Sequence, residues 1–228
     1  MVVQLNSTFR NNLTDEQKRR FGFTAASYRW EDFRNDVLRA LREYYGSDRV
    51  QEGKKSLKVR TSYLPADVVV CLQYRHYPSN PSDKNDFVEG MTFYVLAENR
   101  WVINYPKLHY KNGVKKNQST DGKYKRTVRM FKNARTYLIE RGKIPKDLAP
   151  SYFLECFLYN VPDSKYTGSF RDIFLNVLKW LIENHTKWSS FMCQNRQDPL
   201  FNSSPEQWSE DLAVKFIEAM VNLWENWG

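Results

Sequence analysis

The chain has 228 residues, of which 41% are hydrophobic and 15% aromatic, so it can build a core for one large domain or two small ones. This composition excludes wholesale disorder and low-complexity classes. No apolar run approaches the ~18 residues of a membrane helix, and the first residues do not resemble a secretory leader, so we expect no membrane partner. The three cysteines (Cys71, Cys156 and Cys193) are far apart and form no CxxC motif, which disfavours a disulfide framework or a zinc site and predicts a cytoplasmic protein.

The positive charge is concentrated in one stretch of the chain. Residues 105–146 hold thirteen Lys/Arg and two Asp/Glu, whereas the rest of the chain holds 22 basic and 24 acidic residues. Such segregation favours a polyanionic partner, either nucleotide phosphates or nucleic acid. The alternative is a basic helix whose charge is balanced by acidic neighbours in the fold.

The first half of the sequence predicts mixed strands and helices. Apolar residues three and four apart between Trp30 and Tyr44 predict an amphipathic helix that ends at Gly46. Segment 68–72 is apolar on both faces, which is typical of a central strand covered on both sides. The other predicted elements of this half are a short strand at 1–5, a short helix near 14–20, strands at 56–60 and 66–77, and a hairpin formed by 90–96 and 100–104.

From residue 105 onward the periodicity is helical. The predicted helices cover 123–141, 150–159, about 170–181, and a last helix that Ser204–Gln207 begins as a capping box with proline at its first position. The sequence therefore predicts an α+β protein with an α+β part at 1–104 and an all-helical part at 105–228.

Asp67 begins the apolar strand, and its position allows two interpretations. Taken alone, it is better explained as a carboxylate that caps the turn after Pro65. The other interpretation is a metal ligand, because a strand holds a carboxylate rigidly at the rim of a sheet, as Mg²⁺-dependent phosphoryl chemistry requires. Two-metal chemistry needs two or three converging carboxylates, so Asp67 alone does not decide between them.

Five motifs follow one another in the sequence, and residues of the tail (Trp208, Ala213, Phe216 and Trp224) accompany them. The motifs are Trp30-x-x-Phe33 with Val37 and Leu41, Pro65-Ala66-Asp67-Val68-Val69, Asn104-Tyr105-Pro106-Lys107-x-His109, Lys125-x-x-Val128-Arg129-x-x-Lys132-Asn133-x-Arg135, and Pro150-Ser151-Tyr152-x-x-Glu155. In this order and spacing they resemble the cGAS/DncV-like nucleotidyltransferases, the bacterial cyclic-oligonucleotide synthases of antiphage signalling.

The resemblance implies a polymerase-β-like palm, which is a mixed sheet with a flanking helix. The palm is joined to a C-terminal helical domain, and nucleotides are held between the palm and the helical domain. Family members hold two Mg²⁺ ions with three acidic residues, and Asp67 matches the third, which ligands the acceptor-side metal and serves catalysis. The implied reaction transfers a nucleotidyl group from an NTP, with ATP or GTP expected, to an acceptor ribose hydroxyl.

The sequence departs from the family at the first two acidic residues. The family's Gly-Ser followed by Asp-x-Asp does not precede Asp67, and the two Gly-Ser pairs, Gly46-Ser47 and Gly168-Ser169, have no acidic pair in register. We interpret the palm as incomplete. A late start or a truncation is favoured over the third explanation, a truly degenerate paralogue, because the remaining motifs are intact. We expect the chain as written to be nearly inactive and poorly soluble.

The resemblance also implies a donor-nucleotide site in the helical part. Lys132 matches a lysine that binds the donor triphosphate, Ser151 a serine that hydrogen-bonds its tail, and Tyr152 an aromatic residue that stacks on the donor base. From charge alone, Lys132 is better explained as a solvated lysine on a basic helix. From the residues alone, Ser151 is equally well explained as a helix N-cap and Tyr152 as a core aromatic.

Four further residues of these motifs receive only a suggested role or none. Arg129 and Lys125 lie one and two turns before Lys132 and could extend the phosphate-binding surface. Glu155 matches a position that is often acidic in the family, without an assigned role, and His109 is assigned no chemistry.

Three functional hypotheses remain open. The first is a Mg²⁺-dependent cyclic-oligonucleotide synthase. The second is a catalytically dead pseudo-nucleotidyltransferase that binds nucleotide, or nucleic acid through 105–146. The third is a nucleotidyltransferase that extends a long RNA acceptor.

Overall fold

The structure is a computed structural model that describes residues 1–226. It divides into two compact units, Met1–Pro106 and Lys107–Gly228, and each is described by itself. The boundary lies two residues beyond the one expected from the sequence.

The first unit contains a six-stranded mixed sheet. Its elements, in chain order, are β1 (Val2–Asn11), α1 (Asp15–Arg20), α2 (Trp30–Tyr45), β2 (Val50–Glu52), β3 (Leu57–Arg60), β4 (Pro65–His76), β5 (Val88–Val95) and β6 (Arg100–Asn104). The strands follow the order β2-β3-β4-β5-β6, and β1 pairs with β4 in parallel. The other neighbouring pairs are antiparallel.

Strand β4 is the central strand, as its apolar run predicts. Val68 and Val70 are buried with Leu38 of α2 on one side of the sheet, and Cys71 is buried with residues of β5 and β6 on the other. The indole Nε1 of Trp30 donates a hydrogen bond of 2.9 Å to the Val70 carbonyl, which fixes the start of α2 against β4. Helix α2 ends where Gly46 adopts a φ of 93°, a conformation that glycine takes without steric cost.

The second unit is helical and surrounds an aromatic core. Its helices are α3 (Pro106–Ser119), α4 (Lys123–Glu140), α5 (Ser151–Tyr159), α6 (Phe170–Glu183) and α7 (Glu210–Glu225). Phe153 and Phe157 of α5 are fully buried and stack at 5.1 Å, and Phe131 of α4 and Phe216 of α7 belong to the same core. The predicted α+β class with a helical second half is therefore confirmed.

The sequence-based prediction of the last helix was wrong at its start. Helix α7 begins at Glu210 after the N-cap Ser209, not at Ser204. The Trp208 amide donates to the Leu200 carbonyl at 3.0 Å, and Trp208 forms an isolated bridge with Phe201. These contacts hold the chain extended at Trp208, so the helix cannot begin at the capping-box motif.

The length of β1 also differs from the prediction. It runs through ten residues instead of five, because its parallel pairing with β4 extends from Val2 opposite Val69 to Asn11 opposite Arg75. A register shift between Leu5 and Phe9 interrupts the pairing.

Candidate functional site

Helix α4 carries Lys132 against helix α5. Lys132 follows the buried Phe131, so it lies at the edge of the face that α4 presents to the core. Its Nζ atom lies 2.5 Å from Oε1 of Glu155, and the side chain of Lys132 keeps a quarter of its surface exposed, 25%. The ammonium group is thus tethered and still accessible to a ligand.

Glu155 is the centre of this cluster. Its second carboxylate oxygen, Oε2, lies 2.9 Å from Nε2 of His109 on α3. The hydrogen bond from His109, together with that from Lys132, outweighs the opposing effect of burial and lowers the pKa of Glu155 to about 2. The carboxylate is therefore charged at neutral pH and holds two side chains from two other helices.

Tyr152 stands next to His109. The two rings are stacked, with centroids 5.0 Å apart and an angle of 23° between their planes. Tyr152 keeps 41% of its surface exposed, so it is not the core aromatic residue that its sequence pattern allows. Burial, and then the neighbouring thiols of Cys156 and Cys193, raise the pKa of its hydroxyl, which stays protonated.

Ser151 is the first residue of α5. The N-cap position belongs to Pro150, and no side chain caps the helix, so the N-cap interpretation of Ser151 was wrong. The Ser151 hydroxyl instead lies 3.4 Å from both terminal nitrogens of Arg135, which also donates to the Ala149 carbonyl at 2.6 Å. The unpaired first-turn amides of a helix favour an anion at this end.

A buried network of hydrogen bonds holds the backbone of His109 and Glu155. Gln194 donates from Nε2 to the His109 carbonyl at 2.7 Å, and its own carbonyl accepts from Asn112 at 2.8 Å. The Tyr124 hydroxyl lies 2.5 Å from Oε1 of Gln194 and 2.7 Å from the Glu155 carbonyl. These bonds join α3, α4 and α5, and thereby fix the backbone on which His109 and Glu155 stand.

Lys125 and Arg129, the suggested extensions of the phosphate surface, are both exposed on α4. The Lys125 ammonium lies 5.8 Å from the ring of Tyr110. Arg129 lines a cavity of about 890 Å³ between α4, α6 and α7, and Lys132 does not line that cavity. Arg129 therefore lies beside a cavity that is separate from the contacts of Lys132 with Glu155.

Asp67 belongs to the first unit. It is the third residue of β4, where its carboxylate accepts a hydrogen bond of 3.0 Å from the Ser56 hydroxyl and its carbonyl accepts one of 2.6 Å from the Met1 ammonium group. Across residues 1–226, no group of three or more His, Cys, Asp or Glu side chains could hold a metal ion. Asp67 alone does not fit the two-ion site that the resemblance implies, so we derive no chemical step through a metal here.

Sequence reasoning missed the residues that hold the donor-site candidates in place. His109 and Glu155 both stand in motifs that carry the resemblance, yet 46 positions separate them and nothing local indicates their contact. Arg135 also stands in such a motif, whereas Gln194 lies in a loop without any sequence signal.

Comparison with known proteins identifies the family of the chain. Residues 111–225 match the model of the cGAS/DncV-like nucleotidyltransferase C-terminal helical domain. A cyclic UMP-AMP synthase of Rhodothermus marinus is 62% identical over all of this chain and 78% of its own length, and the cyclic nucleotide synthase CdnE01 of Staphylococcus haemolyticus is 39% identical with the same two coverages.

Solved structures give the same result. The R. marinus CdnE structure superimposes with a TM-score of 0.96 over 100% of this chain and 77% of that one. The CdnE cyclic dinucleotide synthase of Elizabethkingia meningoseptica, 25% identical, gives 0.79 over 98% and 76%. The fold is that of a nucleotidyltransferase.

The chain belongs to the cGAS/DncV-like nucleotidyltransferases, and its close homologues are cyclic nucleotide synthases of the CdnE type. The predicted family is thereby confirmed. Within residues 1–226, no helix is both long and apolar enough to cross a membrane.

Proposed function

We propose that Lys132, Ser151 and Tyr152 bind the donor nucleoside triphosphate of a cyclic-dinucleotide synthase. The observation that carries this proposal is that Glu155, whose carboxylate contacts the Lys132 ammonium group, lies one turn after Ser151 and Tyr152 on α5. This spacing puts a tethered but accessible ammonium group on the same side of α5 as a hydroxyl at a helix N-terminus and a partly exposed aromatic ring.

Each of the three side chains suits one part of the donor. The Lys132 ammonium would neutralise the β- and γ-phosphates as pyrophosphate leaves. The Ser151 hydroxyl would donate a hydrogen bond to a phosphate oxygen. The Tyr152 ring would stack on the base, which is worth ~1–3 kcal/mol and discriminates poorly between bases.

We propose ATP and UTP as the substrates. The R. marinus relative is described as a c-UMP-AMP synthase with Apcpp and Upnpp bound, and the E. meningoseptica relative with GTP and Apcpp. The higher identity to the first favours a pyrimidine and a purine nucleotide over the ATP and GTP pair expected from the family resemblance.

Two further roles are proposed from the resemblance. Asp67 would contribute one carboxylate to a Mg²⁺ site. A signalling role in cytoplasmic antiphage defence is proposed from the function of the family.

The test measures nucleotide binding and product formation separately. Binding of ATP and UTP to the 228-residue chain is measured by calorimetry, and products formed with Mg²⁺ and all four NTPs are identified by mass spectrometry. We expect Lys132→Ala to weaken triphosphate binding at least tenfold, whereas Lys146→Ala, which removes the same charge from an exposed position, leaves it unchanged.

Two product outcomes separate the hypotheses. Small cyclic products support the synthase, and linear ladders support an enzyme that extends RNA. Binding without turnover is the result expected both of a synthase with an incomplete palm and of a pseudo-nucleotidyltransferase. Equal affinities of the wild type and Lys132→Ala would refute the donor site itself.

A further inference from the structure

We infer that Glu155 and His109 are positioning residues of the donor site. The Glu155 carboxylate positions both the Lys132 ammonium group and the His109 ring. The His109 ring in turn packs against one face of the Tyr152 ring. This inference rests on the proposed donor site and explains how its phosphate-binding and base-stacking halves are held together.

The carboxylate of Glu155 divides its two oxygens between two partners. Oε1 contacts the Lys132 Nζ at 2.5 Å and Oε2 contacts the His109 Nε2 at 2.9 Å. Because each oxygen has its own partner, rotation of the carboxylate would break both contacts. Lys132 and His109 are therefore fixed relative to one another through a single group.

The hydrogen bond of His109 fits this role. A charged carboxylate only accepts hydrogen bonds, so His109 donates from Nε2. Its other nitrogen, Nδ1, is buried and has no hydrogen-bond partner among the described residues. The bond to Glu155 is therefore the hydrogen bond that holds the plane of the ring.

The fixed ring of His109 determines which face of the Tyr152 ring is open to a ligand. With centroids 5.0 Å apart and planes 23° from parallel, His109 occupies one face of the Tyr152 ring. The base of a donor nucleotide would then stack on the opposite face, in a three-layer arrangement of histidine, tyrosine and base. Aromatic pairs of this geometry stabilise each other beyond the area that they bury.

The position of Glu155 on its helix is hard to explain by packing alone. Its neighbours Leu154 and Cys156, and the core residues Phe153 and Phe157, are fully buried, so α5 is otherwise an apolar helix. A half-buried ion pair adds little stability over an apolar residue, because desolvation offsets the attraction. A positioning role gives a reason for a charge at this site.

The test separates base binding from phosphate binding. For each variant, the affinity for ATP is divided by the affinity for inorganic tripolyphosphate, both measured by calorimetry at constant ionic strength. The quotient reports the contribution of the adenosine group, ribose and base together. It also removes most of the effect of the change of net charge in Glu155→Gln, because both ligands are polyanions.

We expect the quotient to fall about 2- to 10-fold in His109→Ala and in Glu155→Gln. His109→Phe keeps an aromatic ring against Tyr152 and should restore much of it. In a Tyr152→Ala background, His109→Ala should have no further effect, because the supported ring is gone. Two controls, His185→Ala, which removes another ring contact, and Glu140→Gln, on an exposed part of α4, should leave the quotient unchanged.

The outcomes distinguish this inference from the proposed function. If Tyr152→Ala leaves the quotient unchanged, the donor site itself is wrong. If Tyr152→Ala lowers it but neither His109→Ala nor Glu155→Gln does, the donor site stands and the positioning role is refuted. Intact tripolyphosphate binding in the His109 variants shows that they are folded.

Discussion

Gly113, in the middle of α3, offers a stability test with an unusual sign. In a helix, replacing glycine by alanine ordinarily stabilises the fold by about 1 kcal/mol. Here a Cβ atom at Gly113 would lie 2.4 Å from Nε2 and 3.1 Å from Cδ of Gln194. We therefore expect Gly113→Ala to destabilise the chain.

The magnitude follows from the bonds that Gln194 makes. Its amide is the end of a flexible side chain, but it is buried and held by the His109 carbonyl on one side and the Tyr124 hydroxyl on the other. Moving it breaks both bonds in a buried setting, at a cost of about 1–3 kcal/mol for each group left unpaired. After the gain in helix propensity of about 1 kcal/mol, we expect a net loss of about 1–5 kcal/mol.

The assay is a urea titration of four proteins: the wild type, Gly113→Ala, Gln194→Ala and the double variant. With the Gln194 side chain shortened, the new methyl group has room, so Gly113→Ala should become stabilising by about 1 kcal/mol in the Gln194→Ala background. A loss of the same size in both backgrounds, or a gain in the wild type, would refute the steric reasoning.

Two other predictions concern titration and a buried hydroxyl. Because the pKa of Glu155 is lowered from 4.5 to about 2 on folding, its stabilisation is complete above about pH 4.5 and is lost as the pH falls towards 2. Between pH 6 and pH 2, the unfolding free energy of Glu155→Gln should fall by about 1–2 kcal/mol less than that of the wild type, allowing for solvent screening of a partly exposed group. The measurement is a series of urea titrations from pH 2 to 6. Parallel pH profiles of the two proteins would contradict this prediction. In the sheet, the fully buried Thr92 donates to the Val102 carbonyl at 2.9 Å. Thr92→Val keeps the shape and should cost about 1 kcal/mol in the same assay, so an unchanged urea midpoint would show that this bond contributes nothing.

The sequence by itself determined the elements whose signals are local. The spacing of apolar residues from Trp30 to Tyr44 and the glycine at 46 define α2, and the apolar run at 68–72 defines the central strand β4. Both depend on periodicity along a few consecutive turns or residues, which a sequence displays directly. The family motifs likewise located Lys132, Ser151 and Tyr152 as candidates.

Tertiary structure decided whatever depends on distant partners. The length of β1 is fixed by its pairing with β4, and the start of α7 by the contacts of Trp208 with the strand-like segment before it. Glu155 and His109, 46 positions apart, meet only because α3 and α5 pack together. Hydrogen bonds and ion pairs depend on distances between atoms that the packing of helices sets, and no pattern along the chain encodes those distances.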